Sequence, residues 1–306
     1  MKTERQRAEP GRAGQRLHRG FVLLAVLGVA GAIAAGALLW ESSGGGEQVF
    51  TGVPVTDPGP VHVHGLGIDP ADGSLYIATH TGLWRVAPAE TKARRVTDRR
   101  QDTMGFSVAA SDRFLGSGHP DLRESRTPLL GLIESRDQGR TWDKVSLFGK
   151  ADFHILRVAG QLVYGFDSTS GRLFVSRDGG HTWATHTPPE PLLDLVADPE
   201  DARQIVASSE ARLYRSRDAG KTWDRLQGQP GYLAWPAHAM LLRIGSRGDL
   251  WRAAGPRAKW EFVSLLGGLP AAFLAVSERE LYAALHDGTI KRSTDGGARW
   301  RVRSTP

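Results

Sequence analysis

Cysteine is absent from all 306 residues, so the chain can hold no disulfide framework, thiolate metal site, iron–sulfur cluster or lipid-modified cysteine, and it has no thiol nucleophile. Asparagine is also missing, which removes N-linked glycosylation. Lysine is scarce, with seven among 39 basic side chains, the rest being arginine. That bias fits the codon usage of a GC-rich bacterial genome and carries no functional information. No twin-arginine export signal, phosphate-cradling glycine loop or nucleotide motif occurs. What is present is an ordinary globular balance, 40% hydrophobic and 24% charged, with a formal net charge of +6.

The positive charge is concentrated. Residues 1–40 carry Lys2, Arg5, Arg7, Arg12, Arg16 and Arg19 against Glu4 and Glu9, which leaves only +2 on the remaining 266 residues. With dispersed arginines and near-neutrality there, nucleic acid is an unsuitable partner. Gly20–Trp40 is an uncharged run of twenty-one residues, long enough to span a bilayer as a helix. Basic residues before it and Glu41 and Glu47 after it orient the N-terminus to the cytoplasm and the rest outside. The expected organisation is therefore a basic cytoplasmic segment (1–19), a transmembrane signal anchor (20–40), a linker (41–59) containing Ser42-Ser43-Gly44-Gly45-Gly46, and an extracytoplasmic domain (60–306). Cleavage at Ala35-Gly36-Ala37 would instead release a secreted protein.

Beyond the linker the sequence repeats. Ser135, Asp137, Gly139 and Trp142 recur as Ser176, Asp178, Gly180 and Trp183, as Ser216, Asp218, Gly220 and Trp223, and as Ser293, Asp295, Gly297 and Trp300. Ten residues before each tryptophan stands an aliphatic residue: Leu132, Leu173, Leu213 or Ile290. The same ruler finds Leu250 with Trp260, and Leu83 with a decayed column at Ala93. Successive tryptophans lie 41, 40, 37 and 40 residues apart, a period that marks repeat architecture. Each unit reads as four short strands. The aliphatic residue is followed by an aromatic one at Trp84, Phe174, Tyr214 and Trp251, so both faces of that strand are apolar and must be covered. Strands sandwiched in this way describe an all-β propeller of six four-stranded blades, or seven if QVFTGVPV (48–55) adds one.

These repeats resemble the Asp-box, or BNR, repeats of sialidases, sortilin-like receptors and photosystem-assembly propellers, over about residues 60–304. HVHGL, SGHPD and DFH beside them are similar to a bacterial propeller family usually labelled glycosyl hydrolase. That resemblance implies a glycan or a protein as partner. The fold alone does not supply the chemistry.

Repetition argues that Asp137, Asp178, Asp218 and Asp295 are structural, because an active site is asymmetric. Asp accepts turn amides, Gly supplies positive φ and Trp packs between sheets. Function is expected where the units differ. Aligning the innermost strands as 62–66, 102–106, 152–156, 191–195, 231–235 and 271–275 places His64, Met104, His154, Leu193, Leu233 and Phe273 in one column. Two residues earlier stand His62, Asp102, Asp152, Pro191, Gly231 and Ala271. His80 and His119 fall in loops at the same face, so topology draws His62, His64, His80, His119, His154, Asp102 and Asp152 toward one mouth. Imidazole with carboxylate suits Zn²⁺, Fe²⁺, Mn²⁺ or Cu²⁺. A small ligand at this mouth is the companion expectation. The insert between Ser111 and Leu130, with Asp121, Arg123, Glu124 and Arg126, is expected to shape that face, and His286 and Asp287 are secondary candidates.

A sialidase would need an Arg-Ile-Pro string, and the nearest is Arg243-Ile244-Gly245. Hydrolysis of another glycan would rest on Asp102 and Asp152 as the carboxylate pair. Three readings follow: a metal- or ligand-binding module, a hydrolase using the same mouth, or a scaffold that grips a protein.

Overall fold

A computed structural model describes residues 59–121, 123–124 and 127–306. The basic segment, the span and QVFTGVPV therefore lie outside the described residues. The described chain forms six sheets of four strands, each an antiparallel meander in sequence order. The innermost strands are Val63–Ile68, Asp102–Ala110, Phe153–Ala159, Asp194–Ala197, Tyr232–Ala237 and Pro270–Ala275. We number the blades 1 to 6 in that order.

The ten-residue ruler has a physical basis. Its aliphatic residues lie on the third strand of each blade, where Leu132, Leu173, Leu213, Leu250 and Ile290 are fully buried. The glycine of the next Asp box approaches them closely. A Cβ on Gly139 would lie 2.3 Å from Leu83 Cδ2, on Gly180 2.1 Å from Leu132 Cδ2, on Gly220 2.5 Å from Leu173 Cδ2, and on Gly297 2.1 Å from Leu250 Cδ2. The repeat thus encodes contact between consecutive blades as well as a turn within one. Tryptophan reinforces it: Trp183 Nε1 donates to Ser146 Oγ (2.9 Å), which donates to Gly180 O (2.5 Å), and Trp300 and Ser264 repeat the arrangement. Blade 5 has no Asp box. There the buried Arg243 lies 5.6 Å from the rings of both Trp251 and Trp260. Trp235 is a core residue between blades 4 and 5, donating to His238 O.

The Asp-box carboxylates are consumed by their own turns. Asp178 accepts Ser176 Oγ (2.7 Å), the Thr182 amide (2.9 Å) and Thr182 Oγ1 (2.6 Å), and Asp137 and Asp218 repeat this set. Asp295 faces Arg299 and receives only its amide in place of the threonine pair. The Thr182 bonds hold the Asp178 carboxyl well below the usual range. For Asp218, burial pushes upward, but the Thr222 and Ser216 bonds outweigh it and leave the carboxyl at about 2. A carboxyl depressed by folding stabilises the native state above its unfolded pKa and loses that contribution as pH falls through its folded one. Thermal stability is therefore expected to hold down to about pH 5 and to fall below about pH 4. Asp178→Asn should make that acid slope shallower in melting curves, and an unchanged slope would remove the carboxylate from this role.

The ring closes without strand exchange. Blade 1 residues Leu66, Ile77 and Trp84 pack directly with Ala272, Tyr282 and Ile290 of blade 6, which leaves no gap for a seventh blade. Outside that core, the Arg303 guanidinium donates to the carbonyls of Ala87 (2.7 Å) and Glu90. Lys92 and Thr305 form a parallel bridge.

Candidate functional site

Strand pairing assigns the residues level with His64. Gly65 pairs with Ala78, and Ala78 with Leu83. Following each blade's equivalent aliphatic residue inward gives Gly105, Ile155, Asp194, Tyr232 and Ala272 as counterparts of Gly65. The ring around His64 is thus Met104, His154, Leu193, Gly231 and Ala271. Blades 1 to 4 match the sequence alignment. In blades 5 and 6 the column shifts by two residues, so that Gly231 and Ala271 stand where Leu233 and Phe273 were expected.

The level is also irregular. Pairing skips His64 between Val63 and Gly65, Met104 between Thr103 and Gly105, His154 between Phe153 and Ile155, and Ala271 between Pro270 and Ala272. Each is a bulge that re-aims one side chain out of the ladder. In blades 1 and 3 the re-aimed side chain is an imidazole.

All seven proposed ligands converge. Asp102 is the hub: its Oδ1 lies 2.9 Å from His80 Nδ1 and 3.8 Å from His64 Nε2, and its Oδ2 lies 3.3 Å from His119 Nδ1. Asp102 and His119 are direct cross-strand partners, which accounts for that contact. His119 Nε2 then lies 3.7 Å from Asp152 Oδ2, and His154 Nε2 lies 2.9 Å from the same oxygen. The His64 and His80 rings meet edge-on, centroids 4.3 Å apart, and the exposed His62 ring lies 5.4 Å from His80. His62 takes a left-handed φ of 54° to reach there. Asp152 is set by its amide, which donates to Asp167 Oδ1 (2.8 Å), and by Ser168 Oγ, which donates to its carboxylate (3.1 Å).

Three polar atoms in this cluster are buried without a hydrogen-bond partner: His64 Nε2, Asp102 Oδ1 and Asp152 Oδ1. The short His80–Asp102 contact is directed so that Oδ1 stays unsatisfied. Orphaned buried polar atoms carry a desolvation cost that a ligand can relieve. One donor atom each from His64, His80 and Asp102 lies within 4.8 Å of the others. Burial, reinforced by the neighbouring His80 charge, lowers His64 to about 4, so its ring is neutral at physiological pH. The Asp102 carboxylate beside them raises both His80 and His119. Burial pushes Asp102 and Asp152 upward, but the surrounding histidines outweigh it and hold both carboxyls below their usual range.

Other candidates are engaged elsewhere. In the insert, Asp121 accepts the Arg100 amide (2.7 Å) and Arg123 Nε (3.0 Å), while Glu124 pairs with Arg99 (2.8 Å). This pins the insert to the link between blades 1 and 2, and Arg126 lies outside the described residues. His286 and Asp287 are exposed in a turn where Asp287 accepts the Thr289 amide, and neither bonds to the cluster. His238 pairs instead with Asp198 at 2.7 Å, beyond the far end of the inner strand of blade 4.

Sequence reasoning missed an ion pair in the channel wall between a half-buried arginine and a buried aspartate. Arg157 Nη2 lies 2.7 Å from Asp194 Oδ1, and the two Asp194 oxygens also accept the amides of Leu195 and Leu233, each at 2.8 Å. Asp194 sits within the apolar run PLLDLV, and no local signal there marks a partner one blade away.

No family model matches the chain, and no curated protein matches it. Solved structures do share its fold. YCF48 bound to a D1 peptide is 15% identical over 80% of this chain and 82% of its own, with a TM-score of 0.50. A GH74 xyloglucanase from Xanthomonas campestris is 20% identical over 79% of this chain but 45% of its own, with a TM-score of 0.51. A chain of a nidogen/laminin complex reaches a TM-score of 0.59 at 12% identity, covering 76% of this chain and 93% of its own. Identities this low establish the β-propeller alone.

Proposed function

We propose that the protein is a membrane-anchored, extracytoplasmic propeller of Asp-box type that binds a divalent transition metal ion at the channel mouth. One observation carries this reading: donor atoms of His64, His80 and Asp102 gather within 4.8 Å, and two of those side chains each contribute a buried atom without a partner. Two imidazoles and a carboxylate with further coordination positions open suit Zn²⁺ or Fe²⁺. His119 would orient Asp102 from behind, as outer-sphere partners commonly do. The anchor rests on the apolar run Gly20–Trp40 and its flanking charges.

A hydrolase built on Asp102 and Asp152 is less well supported. Glycoside cleavage needs one carboxylic acid with a raised pKa, and here the histidines depress both. Elemental analysis of the purified full chain beside a His64→Ala, His154→Ala variant tests the reading. Stoichiometric metal in the first and none in the second is expected. Background metal in both would remove the ligand assignment.

A further inference from the structure

Below the cluster the first strands of all six blades enclose a cavity of about 620 Å³, a volume typical of small-molecule sites. His64 and His154 line it at the level of the cluster, and apolar side chains line it from both sides, among them Phe106, Ile155, Leu193 and Phe273. At the level of His64 the far side offers only Leu193, Gly231 and Ala271, so no side chain there can supply a donor to a metal. Leu193 is half-buried and belongs to none of the blade cores, which leaves it facing the cavity. Of the charges deeper in the wall, Arg157 pairs with Asp194 at 2.7 Å and Asp198 meets His238 at 2.7 Å, while Glu200 is exposed.

A metal held by His64, His80 and Asp102 keeps coordination positions for an outside donor, and of these ligands His64 also lines the cavity that Leu193 walls. We infer that the site takes a small ligand with one anionic, metal-ligating headgroup on an apolar body, with the head on the metal and the body running into the channel past Leu193. This rests on the metal reading above. Its particular content is the apolar body, which the apolar lining of the channel supplies.

A homologous series of alkyl hydroxamates, from acetohydroxamate to hexanohydroxamate, tests it by calorimetry on the zinc-loaded full chain. Affinity is expected to rise about fourfold per added methylene, the ratio set by burying one methylene. Leu193→Gln should flatten that rise while leaving zinc content and acetohydroxamate affinity unchanged. Affinities independent of chain length, with zinc bound, would overturn the inference and leave the metal reading standing. Absence of zinc and of every other transition metal, which elemental analysis reports separately, would overturn both the metal reading and the inference that rests on it.

Discussion

Asp102→Ala is expected to lower metal affinity at least about a hundredfold, measured by competition with a chelating dye. Asp102 is the group that His64, His80 and His119 share, at 3.8, 2.9 and 3.3 Å. Removing it leaves two imidazole rings with centroids 4.3 Å apart and no negative charge to offset a dication. Asp102→Asn keeps the shape and one oxygen and should lose less, which separates charge from packing, and melting curves of both variants control for folding. Proton competition adds a second signature. Ligating imidazoles must be neutral. His64, lowered to about 4 by burial, is neutral through the physiological range, whereas His80 is raised by the adjacent Asp102 carboxylate and protonates before it. Affinity should therefore fall as pH drops through the value of His80, which lies above that of a free imidazole. Metal affinity that ignores both the substitution and the pH would place the ion elsewhere.

The largest stability effect is expected from Gly180→Ala, a loss of about 3 kcal/mol. Two costs combine at this position. The backbone is left-handed at φ 96°, which costs a residue with a Cβ about 1–2 kcal/mol. The new Cβ would also lie 2.1 Å from Leu132 Cδ2, and Leu132 is fully buried in the preceding blade, so relief requires repacking at about 1–3 kcal/mol. Gly171→Ala is the control, with φ 66° and nothing within 4 Å of the added atom; only the backbone cost of about 1 kcal/mol should appear. A double-mutant cycle of Gly180→Ala with Leu132→Ala should be non-additive, because the second change removes the obstructing methyl. Equal losses in Gly180→Ala and Gly171→Ala would show that the close approach to Leu132 adds no cost.

The two effects come from opposite kinds of residue. Gly180 and its counterparts recur at a fixed place in four units and do the same job in each. Asp102, His64 and His154 occur where the units differ, and the symmetric scaffold holds them without depending on them. Substitution in the first class should therefore register in melting curves, and in the second class mainly in binding.

Much of this was legible in the chain itself. The ten-residue spacing from aliphatic residue to tryptophan predicts a third strand and its turn, and the sandwiching of that strand follows from bulk on both faces. The convergence of His62, His64, His80, His119, His154, Asp102 and Asp152 follows from topology, since the start of an inner strand and the loop between second and third strands open on one face. Periodicity in sequence determines such features because each depends on residues close together in the chain.

Only the tertiary structure decided the rest. A bulge at His64, Met104, His154 and Ala271 adds one unpaired residue that no local motif announces, and it is what turns imidazoles out of the ladder. The two-residue shift in blades 5 and 6 arises because register is set by the neighbouring strand. For the same reason Arg157 finds Asp194 one blade away, and Asp121 and Arg123 of the insert bond to Arg100 and Asp98. Sequence pattern determined which residues reach the mouth. Pairing between strands determined which atoms meet there, because hydrogen-bond register joins separate strands, as Gly65 with Ala78, and blade packing joins segments about forty residues apart.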